Sequence, residues 1–99
     1  MAANHLWLIT RDMIDGGRAD GTCGPRDSTV KPEDLDASER TRLFRLLDAD
    51  GEVYAEGLIL VPAGEEGGLL DFSPLDDLGE PYWGCVSIEY REAGRWVRL

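Results

Sequence analysis

Residues 41–61, TRLFRLLDADGEVYAEGLILV, contain two apolar runs on either side of a short polar turn. The first run could also continue a preceding helix, with its leucines on one face. The turn decides between these alternatives, because an Asp-rich tetrapeptide that ends in Gly joins the strands of a β-hairpin. We therefore predict strands at 41–47 and 52–61, with a bulge at Gly57.

A second hairpin is predicted at the C-terminal end. Residues 82–90 alternate in polarity, Glu-Ala-Gly at 92–94 turns the chain, and 95–99 returns. This arrangement makes Trp96 a candidate for cross-strand packing. Residues 5–10 (His-Leu-Trp-Leu-Ile-Thr) have the composition of a further strand that is buried on both faces.

Helical signals are short. Residues 32–38 begin with Pro followed by acidic residues, and 73–79 begin with Ser-Pro and end with Gly. Residues 11–15 could form one helical turn. Residues 16–29 contain four Gly and one Pro, which predicts a loop, and we expect it to be mobile.

These elements predict a mainly β (α+β) fold. A length of 99 residues is that of one domain, and 42% hydrophobic with 30% charged residues is an ordinary globular balance. We expect a single small domain over 1–99, with an antiparallel sheet of about five strands and one or two short helices. No apolar stretch is long enough to span a membrane.

The charge is uneven along the chain. There are 20 Asp and Glu against 10 Lys and Arg, a formal net charge of −10, and residues 46–90 hold eleven acidic residues with no Lys or Arg. This balance argues against direct binding of nucleic acid or of anionic membranes, because both require basic surfaces. Two interpretations stay open. The acidic surface attracts a basic protein, or it serves solubility or a salty cytoplasm.

Cysteine and histidine are scarce. Cys23 and Cys85 are far apart in the chain, and His5 is the only histidine. The set lacks the ligand spacing of a zinc site, so we expect no metal and no other cofactor. The first seven residues lack the features of a signal peptide. A cytoplasmic location with free thiols is therefore expected.

Motifs for catalysis are weak. The Asp-x-Asp-Gly stretch that starts at Asp48 places Gly at the wrong position for a calcium-binding EF-hand loop. Residues 21–26 are rich in Gly but lack the Lys-Ser/Thr of a phosphate-binding loop. Cys23 and His5 could form a nucleophile and base only if the fold brought them together. We expect no enzymatic activity.

The candidate site lies where aromatic and acidic residues adjoin. Tyr82 and Trp83 follow a Pro and precede a Gly, so we expect them at the entrance of a strand and partly exposed. Exposed aromatic side chains beside carboxylates are typical of binding hot spots. The candidate protein-binding residues are Asp76, Asp77, Glu80, Tyr82 and Trp83.

Several motifs resemble a family of short hypothetical proteins that are common in bacterial, plasmid and phage sequences. The motifs are RLLDADGEVYAEG at 45–57, PLDDLGEP at 74–81 and GCVSIEY at 84–90. The first is the most specific. That family has no assigned activity, so the resemblance implies a mobile-element context and the same hairpin, and it transfers no functional residue.

Three functions are compatible with these features. The leading expectation is a small acidic, non-catalytic binding protein that engages a basic protein surface, such as a regulator or inhibitor carried by a mobile element. The first alternative is a small enzyme or ligand-binding domain that uses residues 16–29 and Cys23. The second is a structural domain of a larger assembly. The oligomeric state is left open.

Overall fold

The hairpin predicted at 41–61 forms the centre of a six-stranded antiparallel sheet. The computed structural model describes residues 2–99 and confirms the mainly β fold with two helices. The strands are β1 (Leu6–Asp12), β2 (Cys23–Gly24), β3 (Arg42–Leu47), β4 (Val53–Leu60), β5 (Ser87–Glu92) and β6 (Arg95–Arg98). Their order across the sheet is β2-β1-β4-β3-β5-β6.

The sheet has two unlike faces, which we call inner and outer. The inner face carries the main core, which includes Ile9, Phe44 and Ile59, each with no exposed surface. The outer face carries a smaller cluster in which Leu35 packs against Leu6 and Leu60. Strand β1 contributes to both clusters, which confirms that it is buried on both faces.

Each face is covered by one helix. The short helix predicted at 32–38 is confirmed as α1 (Pro32–Ala37), which places Leu35 on the outer face. A 3-10 turn (Leu69–Phe72) leads into a π-helix (Leu75–Trp83), whose Leu75 and Leu78 pack into the inner core. None of the helices in residues 2–99 is long and apolar enough to cross a membrane.

The second helix is longer than predicted, because Gly79 does not end it. A Cβ on Gly79 would lie 3.2 Å from Leu46 Cδ1, so glycine here allows the helix to approach the sheet closely. The helix ends at Gly84, which has a left-handed φ of 69° and donates its N–H to the Glu80 carbonyl at 3.1 Å. Tyr82 and Trp83 therefore belong to this helix, and their expected position at a strand entrance was wrong.

The bulge predicted at Gly57 was also wrong. The extra residue is Thr10 of β1, because Ile9 pairs with Gly57 whereas Arg11 pairs with Glu56. Glycine is needed at 57 for close packing, since a Cβ there would meet the Leu8 carbonyl and the Phe44 ring.

Two further expectations at the N-terminal end were wrong. The helical turn expected at 11–15 is absent among these residues, because Arg11 and Asp12 complete β1 and bends follow. The predicted loop at 16–29 includes a short strand, β2, which pairs with Trp7 and Leu8. This strand raises the total from about five to six.

A buried ion pair fastens the 62–72 segment to the sheet. Asp71 is 1% exposed and accepts hydrogen bonds from Arg42 Nη1 at 3.0 Å and from Gly67 N at 2.8 Å. The Tyr90 hydroxyl donates to the Asp71 carbonyl at 2.7 Å, and the Arg42 guanidinium lies over the Tyr90 ring. Burial, together with the charge of Asp71, raises the pKa of Tyr90 well above its usual range.

Candidate functional site

All five predicted site residues lie on the π-helix. Asp76, Glu80 and Tyr82 are exposed, with Tyr82 at 74%. Asp77 is exposed as a residue, but its Oδ2 accepts a hydrogen bond from Trp7 Nε1 at 3.0 Å. Trp83 is half-buried. Three of the five side chains are therefore freely exposed, whereas those of Asp77 and Trp83 also make contacts that keep the helix in place.

The helix faces residues 15–26 across a groove that consists of two clefts. The first, which we call the Cys23 cleft, has a volume of about 490 Å³, and its lining includes Trp7, Cys23, Arg26 and Asp77. The second, the Trp83 cleft, has a volume of about 300 Å³ and is lined by Asp15, Arg18 and Trp83, among others. Thr22, Leu78 and Tyr82 border both clefts. The structure thus brings the acidic-aromatic residues and the predicted loop to one place.

Two indole-to-carboxylate hydrogen bonds fix the helix in the groove, one to strand β1 and one to the loop wall. Trp7 of β1 donates to Asp77 of the helix, and Trp83 of the helix donates to Asp15 Oδ2 at 3.2 Å. The Trp83 ring also packs edge-on against Tyr54, with 6.4 Å between ring centroids. A Trp that packs in a core still has an N–H to satisfy, and each carboxylate meets that requirement.

The loop wall is organised by a buried carboxylate. Asp12 is 7% exposed, and its side chain accepts hydrogen bonds from the backbone N–H groups of Ile14, Asp15 and Ala19 at 2.9 to 3.0 Å. Burial by itself raises the pKa of the Asp12 carboxyl, but the three backbone donors together lower that pKa below its ordinary value of 3.8. The ionised carboxylate therefore holds 13–19 in place beside the helix.

Glycine at 24 lets the other part of the loop lie against the core. A Cβ there would lie 2.7 Å from Trp7 Cζ2, so only glycine allows β2 to cross this ring. The neighbouring Cys23 is exposed in its cleft, and Cys85 is buried beneath the helix. Burial, with a smaller effect of the Asp48 charge, raises the pKa of the Cys85 thiol to about 11.

The two walls of the groove differ in charge. The helix edge presents the two carboxylates Asp76 and Glu80, whereas the loop lines the clefts with both signs of charge, from Asp15, Arg18 and Arg26. Within residues 2–99, no three His, Cys, Asp or Glu side chains are placed so that they could hold a metal ion. The arrangement suits recognition of a charged and aromatic surface.

Sequence reasoning missed four residues of the groove: Trp7, Asp15, Arg18 and Arg26. One of them carried a signal. An indole N–H inside an apolar strand needs an acceptor, so Trp7 could have indicated a polar partner, although not which carboxylate supplies it. The two arginines carried none, since their place depends on how the loop folds back.

Comparison with protein family models, with curated proteins and with solved structures finds no match to this chain. The function is therefore argued from the groove itself.

Proposed function

We propose that the chain is a small acidic, non-catalytic protein-binding domain whose helix edge engages a basic surface of another protein. The observation that carries this proposal is the setting of Tyr82. This ring is 74% exposed, borders both clefts, and lies on the same helix as Asp76 and Glu80. Both of those residues are exposed.

The chemistry of these three side chains favours a basic partner. An exposed Tyr supplies a large contact area at low entropic cost and is common in hot spots. Carboxylates around it accelerate encounter with a cationic surface and fix its orientation. The partner would cover the helix edge rather than fill the clefts, because each cleft pairs one arginine with one carboxylate and so offers no surplus of negative charge to its cations.

The fixed carboxylates support a binding role rather than a catalytic one. Asp77 and Asp15 each accept an indole N–H, which fastens the helix to strand β1 and to the loop wall. A rigid groove presents Tyr82 in one position and so reduces the entropy lost when a partner binds.

The sharper form of the proposal is a mobile-element regulator or inhibitor that occupies the nucleic-acid-binding groove of its partner in the cytoplasm. The net charge of −10 supports it, because a groove that binds phosphates also attracts carboxylates. The free thiols of Cys23 and Cys85 are in keeping with a reducing compartment.

A second candidate is a small-ligand site in the Cys23 cleft. The observation that favours it is the coincidence of a thiol, a carboxylate and a guanidinium around one space of about 490 Å³, from Cys23, Asp77 and Arg26. A pocket of that size can hold a small organic molecule. Alkylation of Cys23 separates the candidates, because it would block a ligand in the cleft and leave Asp76 and Glu80 free.

The proposal is tested with a fluorescein-labelled peptide of alternating Lys and Arg, titrated by fluorescence anisotropy at about 0.15 M salt. We expect Asp76→Asn/Glu80→Gln and Tyr82→Ala each to weaken binding about tenfold or more. The matched control is Asp50→Asn/Glu65→Gln, which removes two charges from exposed residues outside the groove. Equal losses in both double variants, or no binding by the wild type, would contradict the proposal.

A further inference from the structure

The outer face of the sheet is only partly covered. The helix α1 protects its Leu6–Leu60 end through Leu35. Towards β3, β5 and β6 the face is open, with Leu43 39% exposed and Trp96 half-buried. This open part combines apolar and charged side chains, and it lies on the opposite side of the sheet from the groove.

One row of this face alternates in charge across five strands. The register pairs Arg11 with Glu56, Glu56 with Arg45, Arg45 with Glu89, and Glu89 with Arg98. Oppositely charged cross-strand neighbours stabilise a sheet, and Arg45 Nε donates to Glu89 Oε1 at 2.7 Å. The row therefore reads plus, minus, plus, minus, plus from β1 to β6.

The next row on the same face is largely apolar. Two residues further along each strand, Leu58 pairs with Leu43, and Arg91 pairs with Trp96. The guanidinium carbons of Arg45 and Arg91 lie 4.4 Å and 5.5 Å from the centroid of the Trp96 ring. The face thus has a charged row beside a row with leucine at one end and tryptophan at the other.

A row of alternating sign is complementary to a copy of itself, provided that the symmetry axis lies between two strands. We propose that this outer face binds a second copy of the chain, about a two-fold axis that runs parallel to the strands midway between β3 and β5. Each copy would then place Arg45 over Glu89 of the second copy and Glu56 over Arg98 of the second copy. An axis through Arg45 would instead oppose Glu56 to Glu89.

The same axis also matches the apolar row. It places Leu58 over Trp96 of the second copy, and the exposed Leu43 over the aliphatic stem of Arg91 of the second copy. An axis between β4 and β3 would also oppose unlike charges, but it lies beside α1, which packs on Leu6 of β1 and Leu60 of β4. The axis between β3 and β5 lies on the open part of the face, and charge and apolar matching coincide there, which is why a second copy fits this face better than an unrelated acidic segment.

The expected dimer is weak. The four strands that overlap about this axis, β4, β3, β5 and β6, are about 4.8 Å apart and span roughly 14 Å, which places the interface at the small end of specific contacts. We expect half-dimerisation at about 10 to 300 µM. The two grooves would point away from each other, so the dimer would be bivalent for the partner proposed above, although dimerisation itself does not depend on that partner.

Sedimentation velocity at about 0.15 M salt tests the inference without any added ligand. Wild type should shift from 11.0 kDa towards twice that mass as its concentration rises. Glu56→Arg and Arg98→Glu should each weaken dimerisation about tenfold or more, because symmetry repeats each altered contact. An equimolar mixture of the two variants should dimerise again, since Arg at 56 then faces Glu at 98.

The matched controls are Glu65→Arg and Arg18→Glu, which make the same charge changes at exposed residues away from the outer face, and they should leave dimerisation unchanged. Circular dichroism confirms that each variant is folded. A wild type that stays at 11.0 kDa up to about 1 mM overturns the proposal whether or not the variants fold. A mixture of folded variants that stays monomeric also overturns it, because ion pairing within one copy predicts no rescue by mixing.

Discussion

The loop wall of the groove depends on one side chain, so Asp12→Asn should destabilise the protein far more than its small change in size suggests. Asp12 Oδ1 accepts the N–H groups of Ile14 and Asp15, both at 2.9 Å, and Oδ2 accepts that of Ala19 at 3.0 Å. The side-chain oxygen of an Asn at this position can still accept the N–H groups of Ile14 and Asp15, although these neutral hydrogen bonds are weaker. Its NH2 group would face the Ala19 N–H, so a buried donor would lose its acceptor.

The expected magnitude follows from these contacts. A hydrogen bond to a charged group contributes about 1.5 to 3 kcal/mol, and a buried donor left unpaired costs a comparable amount. We expect Asp12→Asn to lower the free energy of unfolding by about 2 to 4 kcal/mol. For a domain of this size that corresponds to a fall in Tm of roughly 10 to 25 °C.

Urea denaturation measures this effect, with Asp20→Asn as the matched control. Asp20 Oδ1 accepts the Asp12 N–H at 2.6 Å, a bond that an Asn oxygen can keep, and the residue is exposed. The control should therefore unfold close to the wild-type midpoint. If both variants unfold at the same midpoint with unchanged slopes, the role assigned to the Asp12 carboxylate is refuted.

The pH dependence of stability gives a second check on Asp12. The pKa of this carboxyl in the folded protein is lower than its ordinary 3.8, so its contribution is complete above that value. It is lost as pH falls through the folded-state pKa. Wild type should therefore lose more stability than Asp12→Asn between about pH 4 and pH 2, and equal losses would contradict the assignment.

Three other predictions concern the core. Gly57→Ala should lower the free energy of unfolding by about 3 kcal/mol or more in chemical denaturation, because its methyl would lie 2.5 Å from Phe44 Cζ. Gly51→Ala, where φ is 81° and the space is open, should lower it by only about 1 to 2 kcal/mol. Similar losses in the two variants would contradict the packing role of Gly57. A thiol reagent at neutral pH should modify Cys23 at once and Cys85 only on unfolding, because the Cys85 thiol is buried and its pKa is about 11. Rapid modification of both thiols in the folded protein would contradict the buried position of Cys85. Tyr90→Phe should lower the free energy of unfolding by about 1 to 2 kcal/mol through the loss of its buried 2.7 Å hydrogen bond, and an unchanged midpoint would show that this bond contributes nothing.

The parts of the fold that sequence predicted correctly are those set by local chemistry. The turn after β3 is one example, since the Asp48 carboxylate accepts the N–H groups of Asp50 and Glu52, both at 2.9 Å. The Pro-started α1 and the turn between β5 and β6 are others. In each case the side chains that determine the structure lie within a few residues of it.

The errors came from contacts between residues distant in sequence. Gly79 looks like a helix stop, but its role is to let the helix approach Leu46, which lies 33 positions away. The bulge assigned to Gly57 belongs to β1, a strand whose register only the folded sheet reveals. Tyr82 and Trp83 lie in a helix because the helix continues past Gly79 and ends only at Gly84.

Only part of the candidate site was predicted, again because some of its contacts join residues that are distant in sequence. The exposed group of Asp76, Glu80 and Tyr82 was visible because its members are neighbours in sequence. The opposite wall was not, because the bonds that place it, from Trp7 to Asp77 and from Trp83 to Asp15, span 70 and 68 positions. The groove is a product of tertiary structure.

The three indole N–H resonances report directly on whether a basic partner binds at the helix edge of the groove. Trp7 and Trp83 make the two hydrogen bonds that fix the helix in the groove, whereas Trp96 lies on the opposite face of the sheet. During titration with the Lys-Arg peptide, we expect the Trp83 and Trp7 signals to shift in a heteronuclear NMR spectrum and the Trp96 signal to stay fixed, if the partner binds at the helix edge. A shift confined to Trp96, or no shift in any of the three while the peptide binds, would contradict it.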